Sequence, residues 1–208
     1  LKDRIRIKSE TILSKGWGTL KKAVFDFRRR DGEWLTQTRE IFDHGDGAAV
    51  IPHDPVRDTV LLVRQFRFAA YSPECDGMLI EACAGLLDAD DPEGAVRREA
   101  EEELGVRLAY IQRLYTAFMS PGSMTEKLHF FSARYGLADR ISSGGGVATE
   151  GEDIEVLEMT LSEAFAAVAD GRIVDAKTIM LLQHIRLQSR AGAGSQEPLH
   201  RLNIPVDR

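Results

Sequence analysis

The chain has 208 residues, with 27 basic and 33 acidic side chains and a net charge of −6. That length suits one domain, or one with an appended piece, and buries on the order of 70% of the unfolded surface without a disulfide or metal staple. Hydrophobic residues at 43% and charged residues at 29% exclude a disordered chain, the acidic balance argues against a general nucleic-acid binder, and no apolar run approaches the roughly 18 residues of a membrane span.

In chain order, residues 1 to about 45 read as β-hairpin material. Thr19–Arg28 and Glu33–Phe42 carry spaced apolar residues around an Arg30-Asp31-Gly32 turn signal. Ala48–Pro52, Thr59–Val63 and Met78–Ala84 are short apolar runs of strand length. Pro92–Leu104 changes composition to Ala, Arg and Glu, with proline at its start and Gly105 just past its end, which predicts a helix. Leu108–Phe118, Glu126–Tyr135 and Asp153–Met159 return to strand character, while Ser142–Gly151 is a Gly/Ser/Thr loop. Leu161–Ala169, with Ser162 as N-cap, and Ala176–Leu187 are expected to be helical. Phe118, Met124, Phe130 and Phe131 are expected in the core. The order predicts an α/β (α+β) chain with a mixed sheet between helices. Its expected parts are an N-terminal β-region (1–45), a main domain (46–189) and a flexible tail (190–208). The opening LKDRIRIKSE lacks the apolar stretch of a signal peptide. Cys75 and Cys83 lack a metal-site spacing, so the expected location is cytoplasmic.

The informative segment is GLLDADDPEGAVRREAEEELGV, Gly85 to Val106. At 3.6 residues per turn, Glu99, Glu102 and Glu103 share about 100° of one helix face, and Glu101 falls opposite. Like charges three and four apart repel, and the negative end of the helix dipole adds to the cost. A solvated acidic face is one reading. The other is that the missing cation is a hard divalent metal with oxygen ligands.

Arg98-Glu99-Ala100-Glu101-Glu102-Glu103-Leu104-Gly105-Val106 fills without a gap the second half of the Nudix box, whose pattern runs Arg-Glu-apolar-any-Glu-Glu-any-Gly-apolar. The first half departs from the pattern: Gly85 lies one step too close to Arg98, and Asp90-Asp91 stands in place of the first Glu. REIFDHGDGAAV, VRQFRFA, EACAGLLD, FMSPGSMTE, GGGV and GEDIEVLE extend the likeness over most of residues 5–187. The chain therefore resembles the nucleoside-diphosphate-sugar pyrophosphatase branch of the Nudix hydrolases, most closely its GDP-mannose-cleaving members.

The resemblance implies a Nudix α/β/α sandwich with an N-terminal antiparallel β-region used in a homodimer, with or without exchange between subunits. It implies Mg²⁺, with Mn²⁺ as a substitute, held by Glu99, Glu102, Glu103 and the Ala84 carbonyl, and Arg98 orienting a box carboxylate. The base is expected on the late glycine-rich loop, Glu152 first and Glu150 second. Arg67, Arg39 and Glu126 are expected at the substrate, with Arg64 divided between the site and a structural ion pair and Glu81 between the site and a solvent-facing strand position. Ser120-Pro121-Gly122 sits where relatives carry a specificity proline, although a plain turn accounts for it equally. Trp17, flanked by Gly16 and Gly18, is expected to offer an aromatic face to the nucleobase from the partner subunit, or else to anchor the dimer. The implied reaction is hydrolysis of GDP-mannose to GMP and mannose 1-phosphate. ADP-ribose is the alternative substrate, and a non-catalytic nucleotide-sugar sensor the remote one. Neither nucleic acid nor membrane is an expected partner.

Overall fold

A computed structural model describes residues 2–87 and 91–193, without the side chains of residues 150 and 189–193. Three long strands, β1 (Ile5–Lys15), β2 (Thr19–Arg28) and β3 (Trp34–Asp43), form an antiparallel sheet in that order. The remaining strands are β4 (Gly47–Asp54), β5 (Thr59–Phe66), β6 (Met78–Glu81), β7 (Cys83–Leu86), β8 (Tyr110–Phe118), β9 (Lys127–Arg134) and β10 (Glu155–Thr160). They build a second sheet on the path β10-β5-β4-β9-β8, with β6 on β5 and β7 on β4. Among the described residues only β4 and β9 are neighbouring strands that run parallel. The helices are α1 (Pro92–Glu103), α2 (Leu161–Ala169) and α3 (Ala176–Ala193).

Alternation within the central strands explains the layering. Side chains of a strand point to opposite faces in turn, and here both faces are apolar. Ala48 and Val50 of β4 with Leu61 and Val63 of β5 pack on Val96, Ala100 and Leu104 of α1 and its end. Ala49 and Ile51 with Val60 and Leu62 pack on Leu161, Ala164, Leu181 and Leu182 of α2 and α3. A sheet buried on both faces must be covered on both, which gives the sandwich. Phe130 and Phe131 are buried, one in each cluster.

β4 and β5 pair only beside their hairpin, at His53↔Val60 and Asp54↔Thr59. Beyond that they part, and β6 and β7 occupy the split. The apolar run from Met78 to Ala84, expected as one strand, is thus two, broken at Ala82 where the chain changes neighbours. This split, walled by α1, is where the acidic residues gather.

Four other expectations are corrected. The N-terminal region holds a separate first strand, β1, beside the expected hairpin. α2 is capped by Thr160 rather than Ser162: its hydroxyl accepts from Glu163 N while the Glu163 carboxylate returns to Thr160 N, a reciprocal box. α3 runs to Ala193 instead of stopping at Leu187, and the expected tail beyond it lies outside the described residues. Phe118 is 55% exposed, with the Lys127 ammonium over its ring, and is no core residue. Among the described residues no helix is long and apolar enough to cross a membrane.

Candidate active site

Asp91 starts α1: its carboxylate accepts from Glu93 N and Gly94 N, and Pro92 follows in the first turn. This assigns half of the acidic pair in the departing part of the box to capping; Asp90 lies outside the described residues. The helix then carries its acids as its period requires. Glu101 faces away and pairs with Arg107 at 3.0 Å. Glu99 and Glu102 line a cleft of about 780 Å³ together with Ala84, Gly85, Arg98, Glu126, Glu152, Arg67, Lys177, Asp175, Trp17 and His44. Glu103 lies deeper, 2% exposed.

Charge in this cleft is strained in one direction. Burial, together with the neighbouring Glu99 and Glu152 carboxylates, pushes the Glu103 carboxyl up to about 7, against a hydrogen bond from the Cys83 thiol and the Arg67 charge. Glu99 is also raised, by burial first and then by Glu102 and Glu152, with Arg98 opposing. Among the described residues Glu103 Oε2 is buried and has no hydrogen-bond partner, an expensive state for a carboxylate unless a cation is bound there. Arg98 reaches Glu99 Oε1 at 3.4 Å and Glu102 Oε2 at 4.0 Å, so it braces two of the acids without serving the third. A Cβ at Gly85 would fall on the Glu99 carboxylate, so this position leaves room for that acid. Among the described residues no three His, Cys, Asp or Glu groups converge into a finished metal cage. The acids instead surround an open cleft, which suits a hard cation that keeps some ligands from water and substrate. The donor set fits such an ion.

The same cleft carries a cationic group that the sequence only half revealed. Glu81, 1% exposed, takes Arg67 in a fork, Nε to Oε1 at 2.9 Å and Nη2 to Oε2 at 3.1 Å, and Lys177 Nζ at 2.5 Å. Burial raises the Glu81 carboxyl, but Arg67 and Lys177 outweigh it and hold it below the usual value. Glu81 therefore neither faces solvent nor lines the cleft; it fixes two cations that do. Lys177 also pairs with Asp175 at 3.0 Å. Asp175 starts α3 by accepting from Thr178 N, and Thr178 Oγ1 accepts in turn from Ala82 N at 2.6 Å between β6 and β7. Asp175, Lys177 and His44 were missed in the sequence. An acidic residue three before Thr178 was a visible helix-start signal, but nothing local tied it to Glu81.

The other expected residues divide. Glu152 and Glu126 are at the cleft, and Glu152 Oε2 accepts from Val147 N at 2.8 Å. The Glu150 side chain is outside what is described. Arg64 pairs with Glu155 across the β5–β10 register and takes the structural role. Trp17 is 75% exposed and stacks on His44 at 4.9 Å, at the cleft of its own chain. Arg39 is not among the residues that line this chain's cleft; its guanidinium donates to the Thr38 carbonyl and to Gln37 Oε1. It sits four residues before the end of β3 at Asp43, about 13 Å along an extended strand. The Ser120-Pro121-Gly122 turn bonds internally, Met124 N to Ser120 O at 2.9 Å, and the following Ser123 carbonyl accepts from Phe42 N, seating the N-terminal sheet beside the cleft.

The fold and this cleft define a class, a layered α/β sandwich whose acidic helix shares a cleft with cations held by a buried carboxylate. The chain belongs to the Nudix family: the NUDIX domain model matches residues 43–182, and the model described as the GDP-mannose pyrophosphatase NudK N-terminal domain matches 4–42. It is similar to a GDP-mannose pyrophosphatase of Pectobacterium atrosepticum, 51% identical over 86% of this chain and 93% of that one. Another, from Klebsiella pneumoniae subsp. pneumoniae, is 44% identical over 93% and 97%. Among solved structures, one titled as an ADP compounds hydrolase superposes with a TM-score of 0.70 over 92% of this chain and 96% of its own, at 16% identity. That likeness is one of fold.

Proposed function

We propose that the chain hydrolyses the pyrophosphate bond of a nucleoside diphosphate sugar, GDP-mannose by preference, giving GMP and mannose 1-phosphate. The observation that carries this reading is the buried Glu103 Oε2, unpartnered among the described residues, on the helix whose Glu99 and Glu102 line a cleft with Glu152. The names of the two relatives support the substrate. Glu99, Glu102, Glu103 and the Ala84 carbonyl would hold Mg²⁺, or Mn²⁺ in its place. When bound, the ion supplies positive charge to the diphosphate and makes an attacking water more acidic.

The protein's own residues do the remaining work. Arg98 keeps the Glu99 and Glu102 oxygens oriented. Arg67 and Lys177, pinned by Glu81, meet the substrate phosphates with cations whose positions are already fixed. Glu152 takes, on a carboxylate oxygen, the proton lost by the attacking water. Trp17, backed by His44, stacks on the base, and Glu126 meets the sugar. A homodimer through the N-terminal β-region (1–45), next to a catalytic domain (46–189) and a tail (190–208), belongs to the same reading. Its support is β1, exposed along its whole length with Ile5, Ile7, Ile12 and Leu13, an apolar edge that proteins usually cover. Free thiols at Cys75 and Cys83 support a cytoplasmic location.

Initial rates with Mg²⁺ on GDP-mannose, ADP-ribose, UDP-glucose and NADH test the substrate. The expected kcat/KM is highest for GDP-mannose by at least about tenfold. Faster ADP-ribose cleavage would replace the substrate and keep the chemistry, whereas no turnover on any compound would favour the sensor.

A further inference from the structure

The last four carbonyls of an α-helix find no partner within it. In α1 two of them are taken by the loop that carries Glu152: Gly145 N donates to the Glu103 carbonyl at 2.9 Å and Gly146 N to the Glu102 carbonyl at 3.0 Å. At the loop's other end Ile154 N donates to the Gly145 carbonyl at 3.2 Å, and the Ile154 side chain is buried with Val96, Ala100 and Leu104. The root of the loop is therefore tied both to itself and to the two residues whose carboxylates serve the site. Val147–Asp153 is different. Its hydrogen bonds among the described residues stay internal, Gly151 N to Ala148 O and Val147 N to Glu152 Oε2. Ala148, Thr149, Gly151 and Asp153 are exposed.

Glycine is required at the point of contact. Gly144 has φ +66, and a Cβ there would sit 2.3 Å from the Glu103 carbonyl oxygen, with Leu104 and Glu103 backbone carbons also under 3 Å. No flexible side chain could yield to it. Any residue but glycine must push the loop off the end of α1 or unwind the helix's last turn.

We propose that Gly144, Gly145 and Gly146 are positioning residues that fasten the root of the loop to α1, so that only Val147–Asp153 moves and Glu152 returns to one place beside Glu99 and Glu103 at each turnover. The inference rests on Glu152 as the base. Its physical content is a shared reference: the helix that carries the acids also holds the base-bearing loop by its backbone. Displacement of a reacting group by about 1 Å costs on the order of a hundredfold in rate, so a strap of this kind governs kcat more than substrate affinity.

Amide hydrogen exchange on the full chain, with steady-state kinetics on GDP-mannose, tests it. In the wild type, Gly145, Gly146 and Ile154 amides should exchange slowly and Thr149–Asp153 fast. Gly144→Ala should abolish protection at Gly145 and Gly146 and lower kcat by about tenfold to a hundredfold with KM unchanged. Gly151 also has positive φ, but nothing lies near its Cβ, so Gly151→Ala should strain the moving segment and leave that protection intact. Fast exchange at Gly145 and Gly146 in the wild type overturns the proposal, as does Gly144→Ala with wild-type kcat. If Gly144→Ala does not fold, the wild-type exchange pattern decides alone. If Glu152→Gln keeps its kcat while the protection pattern and the cost of Gly144→Ala hold, the strap stands and the base lies elsewhere on the segment.

Discussion

Glu103→Gln should lower kcat by more than about a hundredfold, the upper end of what loss of an outer-shell metal partner costs, and should at the same time stabilise the protein in chelator at pH 8. The second effect follows from proton linkage. The Glu103 carboxyl titrates near 7 in the fold against an ordinary value of 4.5, because it is buried among like charges. Between those values the folded protein holds a proton that the unfolded chain has released, so stability falls as pH rises through that window and stays reduced above it. At 1.36 kcal/mol per unit the loss reaches up to about 3 kcal/mol, or roughly 6–12 °C in Tm for a chain of this size. Gln does not titrate and escapes it. Calorimetric melts of both proteins in EDTA should thus show the variant ahead at pH 8 and the gap closed by pH 4.5. A variant less stable than wild type at pH 8 would mean that the Glu103 carboxylate is well solvated or partnered without metal.

Glu152→Gln should cut kcat by about 10²–10⁴ with little change in KM, the loss of a general base. The position of Glu152 suits that role, since it lines the cleft and its charge is felt by both Glu99 and Glu103. Single-turnover rates at saturating Mg²⁺ check it. An unchanged rate would move the role to Glu150 or another group on the loop.

α1 was legible because its signals are local. Proline at one end, Gly105 at the other and a 3.6-residue period fixed both its bounds and the face shared by Glu99, Glu102 and Glu103. β1 hid for the opposite reason. Every residue in it is exposed, and register shifts between Ile7 and Ser9 and between Ile12 and Ser14 break the two-residue alternation that marks a strand. The break at Ala82 is a change of neighbour from β5 to β4, and both halves are apolar, so composition carries no mark of it. In the site, the acids came from the helix pattern, but the cations that share their cleft depend on Glu81 meeting a lysine 96 positions away. Arg39 lies four residues before the end of β3 and does not line this chain's cleft, a distance along the strand that residue type alone does not disclose.

The most direct test of the central claim is product identification by chromatography after GDP-mannose is incubated with the protein, once with Mg²⁺ and once with EDTA. GMP and mannose 1-phosphate, formed with Mg²⁺ and absent in EDTA, are the predicted result. GDP and free mannose, or undiminished turnover in chelator, would contradict the account, because neither uses the Glu99, Glu102 and Glu103 cleft as a metal-assisted pyrophosphatase site.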